Sequence, residues 1–195
     1  MSAAASKQTP SPPYVVETRN REVLRGIELM SPRPAAPHAV CEGALHVALA
    51  TIYGRRRGPG GPGRPGGWVL MIEPELHLEG EDPIIPDIAG WLGERMPLIP
   101  RTAAVKLPPD WVCEVLSPST ARYDRGVKFA AYRKLADLRE YLLVDIDQRR
   151  LELYRREAGH WILLESEGDG PALRLESVDM TLAPAEAFED LDENA

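Results

Sequence analysis

The chain has few cysteines, a deficit of positive charge and no long apolar run, and each lack closes off a class of protein. Its two cysteines, Cys41 and Cys113, show no CxxC spacing and no Cys/His cluster, which speaks against a disulfide scaffold and against a structural zinc site. Cys113 stands inside the apolar run WVCEVL and reads as a small buried hydrophobe. No stretch approaches the ~18 consecutive apolar residues that a spanning helix needs. The opening residues MSAAASKQTPSPP have no apolar core of the secretory type, so a cytoplasmic protein with no membrane association is expected. The formal net charge is −7, which argues against a protein that coats nucleic acid. It leaves room for an enzyme whose own carboxylates hold metal and whose positive groups act locally.

What is present is one domain's worth of chain, 195 residues with 44% hydrophobic content, enough for a single sizeable core. The 19 prolines and 16 glycines are clustered. Residues 1–13 are small, polar and proline-rich, the composition of a disordered tail. Residues 31–37, SPRPAAP, make a turn-rich connection. Within residues 55–67 an arginine cluster, Arg55, Arg56 and Arg57, runs into the low-complexity GPGGPGRPGG with Arg64, a loop without packing capacity. A single domain is therefore expected over residues 14–183, followed by a short helix at 184–190 and an acidic tail ending at 195.

Hydrophobic periodicity predicts the elements between. Residues 38–53 carry apolar groups at helical spacing. Residues 68–78 read as one or two strands broken at Pro74, a bulge or edge signal. A short strand is expected over 84–92, around a Pro-Asp, and an apolar strand over 111–116. SPST then supplies helix-start chemistry, with Ser119 or Thr120 as cap, and a helix follows over 122–136 with Val127, Ala131 and Leu135 as its buried stripe. Residues 140–145 read as a central strand. A strand pair is expected at 150–155 and 161–165 around an Ala-Gly turn, with a further strand at 172–177. Helix, strands, helix, strand and a β-rich tail imply an α/β sandwich with a mixed sheet.

Three features stand out chemically. Asp87 lies among apolar residues in IIPDIAGW, where an aspartate is either a turn residue or a functional carboxylate. Glu114 rises from the apolar WVCEVL, and a carboxylate there pairs with a charge or holds a metal. Asp124 and Lys128 stand at i, i+4 on the helix that follows, the spacing of a surface ion pair or of two groups brought to the end of the Glu114 strand. Taken together, two carboxylates from neighbouring strands and a nearby lysine suit Mg²⁺, a hard cation that prefers oxygen ligands, and phosphodiester hydrolysis. A backbone carbonyl beside Glu114, that of Val115, would complete the protein ligands. His46, His77 and His160 have no partners by spacing and read as structural or exposed. Trp68, Trp91, Trp111 and Trp161 read as core. The arginine loop reads as a solvated loop or as a contact to the phosphate backbone.

The block IIPDIAGW followed by PPDWVCEVLSPSTARYDRGVKFAAYRKLADLREYLLVD resembles the Uma-two family of bacterial restriction endonucleases, part of the PD-(D/E)XK nuclease superfamily. The upstream RGIELMSPRPAAPHAV is similar to the family's segment ahead of its first helix, and the likeness runs from about residue 22 to 165. The resemblance implies a restriction-endonuclease-like αβββαβ core, a mixed sheet flanked by helices, with a β-rich C-terminal extension that lengthens the sheet or builds a dimer surface. It implies Asp87 and Glu114 as catalytic metal ligands and Lys128 as the catalytic lysine. The superfamily's usual lysine stands two residues after the acid, where this chain has Leu116, so the lysine is supplied by the following helix instead. Glu28, His38, Asp124 and Tyr132 match family positions as supporting residues. The implied cofactor is Mg²⁺, or Mn²⁺ in its place, and the implied partner is DNA, with RNA as an alternative; a homodimer is expected because it is the commonest soluble oligomer. Two other functions fit the same residues. One is an inactive nuclease-fold binding or assembly module, suggested by Leu116 and the acidic charge. The other is a carboxylate-pair hydrolase acting on another substrate.

Overall fold

The computed structural model describes residues 19–24, 26–32, 35–53 and 67–191. An N-terminal hairpin pairs β1 (Arg19–Leu24) with β2 (Ile27–Pro32) through Gly26, whose φ of 74° is the left-handed conformation a tight turn needs. The first helix, Ala36–Tyr53, follows. Next come β3 (Trp68–Ile72), β4 (Glu75–Leu76), β5 (Ile88–Leu92), β6 (Ala104–Val105) and β7 (Trp111–Leu116). A second helix spans 121–132, and β8 (Glu140–Asp145), β9 (Arg150–Glu157) and β10 (His160–Glu167) complete the main sheet. Finally β11 (Leu173–Leu175) pairs with β12 (Met180–Leu182), and the short helix Pro184–Phe188 runs into a tight turn at Glu189–Leu191.

The main sheet has the order β10-β9-β8-β7-β5-β3. Only β7 and β8 run parallel in it, because the second helix carries the chain back across one face between them. First helix, β3, β5, β7, second helix and β8 make up the αβββαβ core. β9 and β10 lengthen its sheet, so of the two roles expected for the β-rich extension the structure has sheet lengthening. Both faces are covered, and period-two alternation sorts the residues. Trp111, Cys113 and Val115 of β7, with Leu142 and Val144 of β8, pack under the first helix and the C-terminal elements. Val112 and Leu116, with Tyr141 and Leu143, face the second helix.

Several expectations need correction. The strand expected over 84–92 begins only at Ile88. Before it there is a single bridge from Ile84 to Leu76, since Pro83 and Pro86 have no N–H to give a ladder. The second helix stops at Tyr132, and its middle turn, Asp124–Lys128, is a π-helix. That turn displaces the buried stripe: Tyr123, Asp124, Lys128, Ala131 and Tyr132 are buried, while Val127 and Leu135 are only partly so. Thr120 holds the cap position without a side-chain bond to the backbone; its hydroxyl pairs with Ser117 instead. The strand expected over 172–177 is only β11, and the N-terminal hairpin and β12 have no counterpart among the predicted elements.

Other expectations agree. Pro74 follows β3, the edge strand. The β9–β10 hairpin turns at Ala158 and Gly159, both with positive φ. Cys41 and Cys113 are buried and form no disulfide with each other. Trp68, Trp91 and Trp111 are core residues, but Trp161 is only partly buried and carries the Arg156 guanidinium 4.8 Å from its ring. Among the described residues no helix is long and apolar enough to cross a membrane.

Candidate active site

The site forms where two strands part. β5 pairs with β7 through Gly90↔Trp111, Ala89↔Val112 and Ile88↔Cys113, and the pairing stops there. One residue further, the Asp87 carboxylate takes the ladder's place: its Oδ2 accepts the Val115 N–H at 2.6 Å. The Asp87 N–H in turn donates to Glu114 Oε2 at 3.3 Å. The two acids, 27 residues apart in sequence, are thus held by each other's strand. Because an extended residue turns its N–H and C=O to the same side, the Val115 carbonyl also faces this gap.

Alternation along β7 sends Glu114 to the second helix, where it is 2% exposed. Lys128 meets it there: its Nζ lies 3.0 and 3.1 Å from the two carboxylate oxygens, and it also donates to the Ile85 carbonyl at 2.8 Å. Asp124 Oδ1 is 3.5 Å from the same nitrogen. Tyr132 OH donates to Glu114 Oε1 at 3.1 Å, and Tyr141 OH donates to the Asp124 carbonyl at 3.2 Å. The π turn (rare, and frequent at functional sites) places Asp124 and Lys128 together on the buried side. From the other face His38, near the start of the first helix, brings Nε2 to 3.3 Å from Asp87 Oδ2.

Burial sets the electrostatics. It pushes the Glu114 carboxyl well above the usual range; Lys128 opposes the rise, while Asp87 and Asp124 add to it. Asp124 is raised for the same first reason, again against Lys128. Burial disfavours charge on His38, but the hydrogen bond and charge of Asp87 outweigh it and raise its pKa.

The structure therefore brings Asp87, Glu114, Lys128, Asp124, Tyr132, His38 and the Val115 backbone into one cluster. Glu28 lies in β2 opposite Val23, and its side chain falls outside the described residues, as do Arg55, Arg56, Arg57 and Arg64. Leu116, at the usual lysine position, is buried in apolar packing on the Glu114 side of the sheet. Among the described residues no group of three or more His, Cys, Asp or Glu side chains converges as a ready metal cage. A cavity of ≈ 500 Å³ between the first helix and the C-terminal strands has none of these residues in its wall.

Two features escaped the sequence reading. Glu42, one helical turn after His38, is buried with its Oε2 3.9 Å from His38 Nδ1, and neither Glu42 Oε1 nor His38 Nδ1 has a hydrogen-bond partner. Burial, Asp87 and Glu73 push its carboxyl up to about 7. The available signal was a glutamate four residues from a histidine on an otherwise apolar helix. The second feature is Arg125, which reaches from the π turn to Asp145 at 2.7 Å and to Glu152 at 2.5 Å.

A family profile described as "Putative restriction endonuclease", Uma2, matches residues 20–185. The chain belongs to the Uma2 family. Two uncharacterized proteins of Synechocystis sp. (strain ATCC 27184 / PCC 6803 / Kazusa) are each 40% identical to it. For slr1290 the match runs over 76 residues, 38% of this chain and 40% of that protein. For sll1609 it runs over 62 residues, 31% and 35%. The chain thus spans about two fifths or less of the curated relatives it matches. The fold is that of a solved structure from Anabaena variabilis ATCC 29413, described as a "putative nuclease belonging to DUF820". The TM-score is 0.72 at 16% identity, covering 88% of this chain and 91% of that one.

Proposed function

We propose that this Uma2 protein is a divalent-metal-dependent endonuclease that hydrolyses DNA phosphodiester bonds. The observation that carries the reading is the reciprocal hold of Asp87 and Glu114 at the fork of β5 and β7, with the Lys128 ammonium 3.0 Å from Glu114. The donor set fits Mg²⁺, with Mn²⁺ able to replace it: two carboxylates and the Val115 carbonyl are hard oxygens, and the Asp87 side chain is 18% exposed, open to solvent. The bound cation supplies an acidified water and offsets charge on the phosphate.

The chain's own groups do the rest. Asp87 and Glu114 hold the cation with the Val115 carbonyl. His38 fixes the Asp87 carboxylate, and Tyr132 fixes that of Glu114. Lys128, with Asp124 beside it, supplies positive charge to the phosphate as negative charge builds on it. Glu28, by its match to the family position, is assigned a supporting role. Arg55, Arg56, Arg57 and Arg64 meet the DNA backbone locally, which an overall acidic protein requires.

One observation favours a second reading, a nuclease-fold binding module without turnover: Glu114 is nearly sealed and its oxygens already have partners. The test is cleavage of plasmid DNA with Mg²⁺ or Mn²⁺ by the parent and by Asp87→Ala, with circular dichroism to establish that the variant folds. The nuclease reading expects nicking or linearisation by the parent alone. Equal cutting by the variant removes Asp87 from the chemistry. A parent that cuts neither DNA nor RNA supports the binding module.

A further inference from the structure

We propose that the Lys128 ammonium is the resident counter-cation of Glu114, and that it leaves this carboxylate when a divalent cation binds at Asp87 and Glu114. The inference rests on the metal-site reading above and adds an exchange of one cation for another. A carboxylate offers about four acceptor positions. Glu114 has all of them in use: Oε1 accepts from Lys128 at 3.0 Å and Tyr132 at 3.1 Å, and Oε2 from Lys128 at 3.1 Å and the Asp87 N–H at 3.3 Å. No position is left for a further ligand bond while the lysine stays.

The lysine is held as firmly. Its three N–H bonds are matched by Ile85 O and the two Glu114 oxygens, and Lys128 is 5% exposed. Buried charges of this kind persist only in pairs, so neither partner separates unless another charge takes the vacated place. A divalent cation meets that condition. Glu114 and Asp124 share the one ammonium, and Asp87 is faced by His38 Nε2 at 3.3 Å rather than by a permanent cation, so the cluster has more carboxylate than permanent positive charge, which a divalent ion would balance.

The amino group has a second acceptor within reach. Asp124 Oδ1 is 3.5 Å away on the same helix, so the ammonium leaves Glu114 without leaving the site. In the nuclease reading this exchange turns a structural lysine into one available to the phosphate.

The four lysines of the chain make the test direct. Lysine is labelled with ¹⁵N, and the side-chain ammonium resonances of the full chain are followed during a Mg²⁺ titration, with calorimetry in the same buffer. Lys128→Met identifies the signal that belongs to Lys128. Without metal that signal is protected from exchange with water. As calorimetry reaches saturation it shifts and loses its protection, while the other three stay, and Asp87→Asn abolishes both the heat and the shift. A Lys128 signal that keeps its position and protection while calorimetry shows binding overturns the exchange and leaves the metal site standing. Absence of binding of either Mg²⁺ or Mn²⁺ to the parent overturns the metal-site reading and the exchange with it. A response in Asp87→Asn equal to the parent's places the ion elsewhere and also overturns the proposal.

Discussion

Replacing Lys128 by methionine tests how the site is held together. Methionine matches the length of the lysine stem and removes only the ammonium. Glu114, 2% exposed, is then left in the interior with the Tyr132 hydroxyl and the Asp87 N–H but no cation. Breaking one side of a buried ion pair costs about 3–5 kcal/mol, and the lost bond to Ile85 O adds ~1 kcal/mol. In a chain of 195 residues, each kcal/mol lowers Tm by about 2–4 °C, so a drop on the order of 10 °C is expected. The loss depends on pH with a definite sign. The Glu114 carboxyl is already raised by burial, and without Lys128 nothing comparable opposes the rise. The folded variant keeps a proton that the unfolded chain releases above about pH 4. The variant is therefore least impaired at low pH and loses stability progressively as the pH rises. Urea unfolding at pH 5 and pH 8 reads this directly. Adding Glu114→Gln to Lys128→Met removes the stranded charge and restores most of the loss at pH 8. A cost below about 1 kcal/mol at pH 8, or one that is the same at both pH values, would refute the picture of a buried, mutually dependent pair.

Glu42→Gln carries the opposite sign. A carboxyl raised to about 7 disfavours folding as pH rises from 4.5 to 7, so the variant is more stable than the parent by about 2 kcal/mol at pH 8 and equal to it at pH 4.5, as read by denaturant midpoints. Tyr132→Phe removes one hydrogen bond to the buried Glu114 and costs about 1.5–3 kcal/mol, measured the same way; no change would mean the hydroxyl is not engaged. Arg125→Gln deprives Asp145 and Glu152 of their shared partner and is expected to cost about 2 kcal/mol, with faster amide exchange confined to the π turn. Cys41 and Cys113 are both buried, and burial pushes the Cys113 thiol well up. Neither should react with a thiol reagent in the native protein, and both should react at once in denaturant.

Much of the framework was written locally. The apolar runs at 111–116 and 140–145 coincide with β7 and β8, because a strand buried on both faces has an unbroken hydrophobic stretch as its signature. The Ala-Gly pair marked the β9–β10 turn because that turn needs positive φ. Asp87, Glu114, Asp124, Lys128 and Tyr132 were legible as a group through the family block. The N-terminal hairpin and β12 were not: β12 has three residues, too few to show a period, and the six-residue strands RNREVL and IELMSP have neither an unbroken apolar run nor a strict alternation.

Tertiary structure decided the rest. Local sequence made Glu114 a lone carboxylate in a strand and left Asp124–Lys128 open between a surface pair and two groups brought to the end of that strand; the crossover from β7 to β8 folds that helix back over Glu114 and makes the pair a buried one. Periodicity predicted the wrong stripe for the second helix because a π turn shifts the face by hydrogen bonding that no residue pattern announces. Glu42 and Arg125 carried no assignment in the sequence, and only packing put Glu42 beside His38 and Arg125 between Asp145 and Glu152. A sequence determines which residues prefer the interior. Which buried charges neutralise one another depends on distances between elements far apart in the chain, and those distances exist only after the layers have packed.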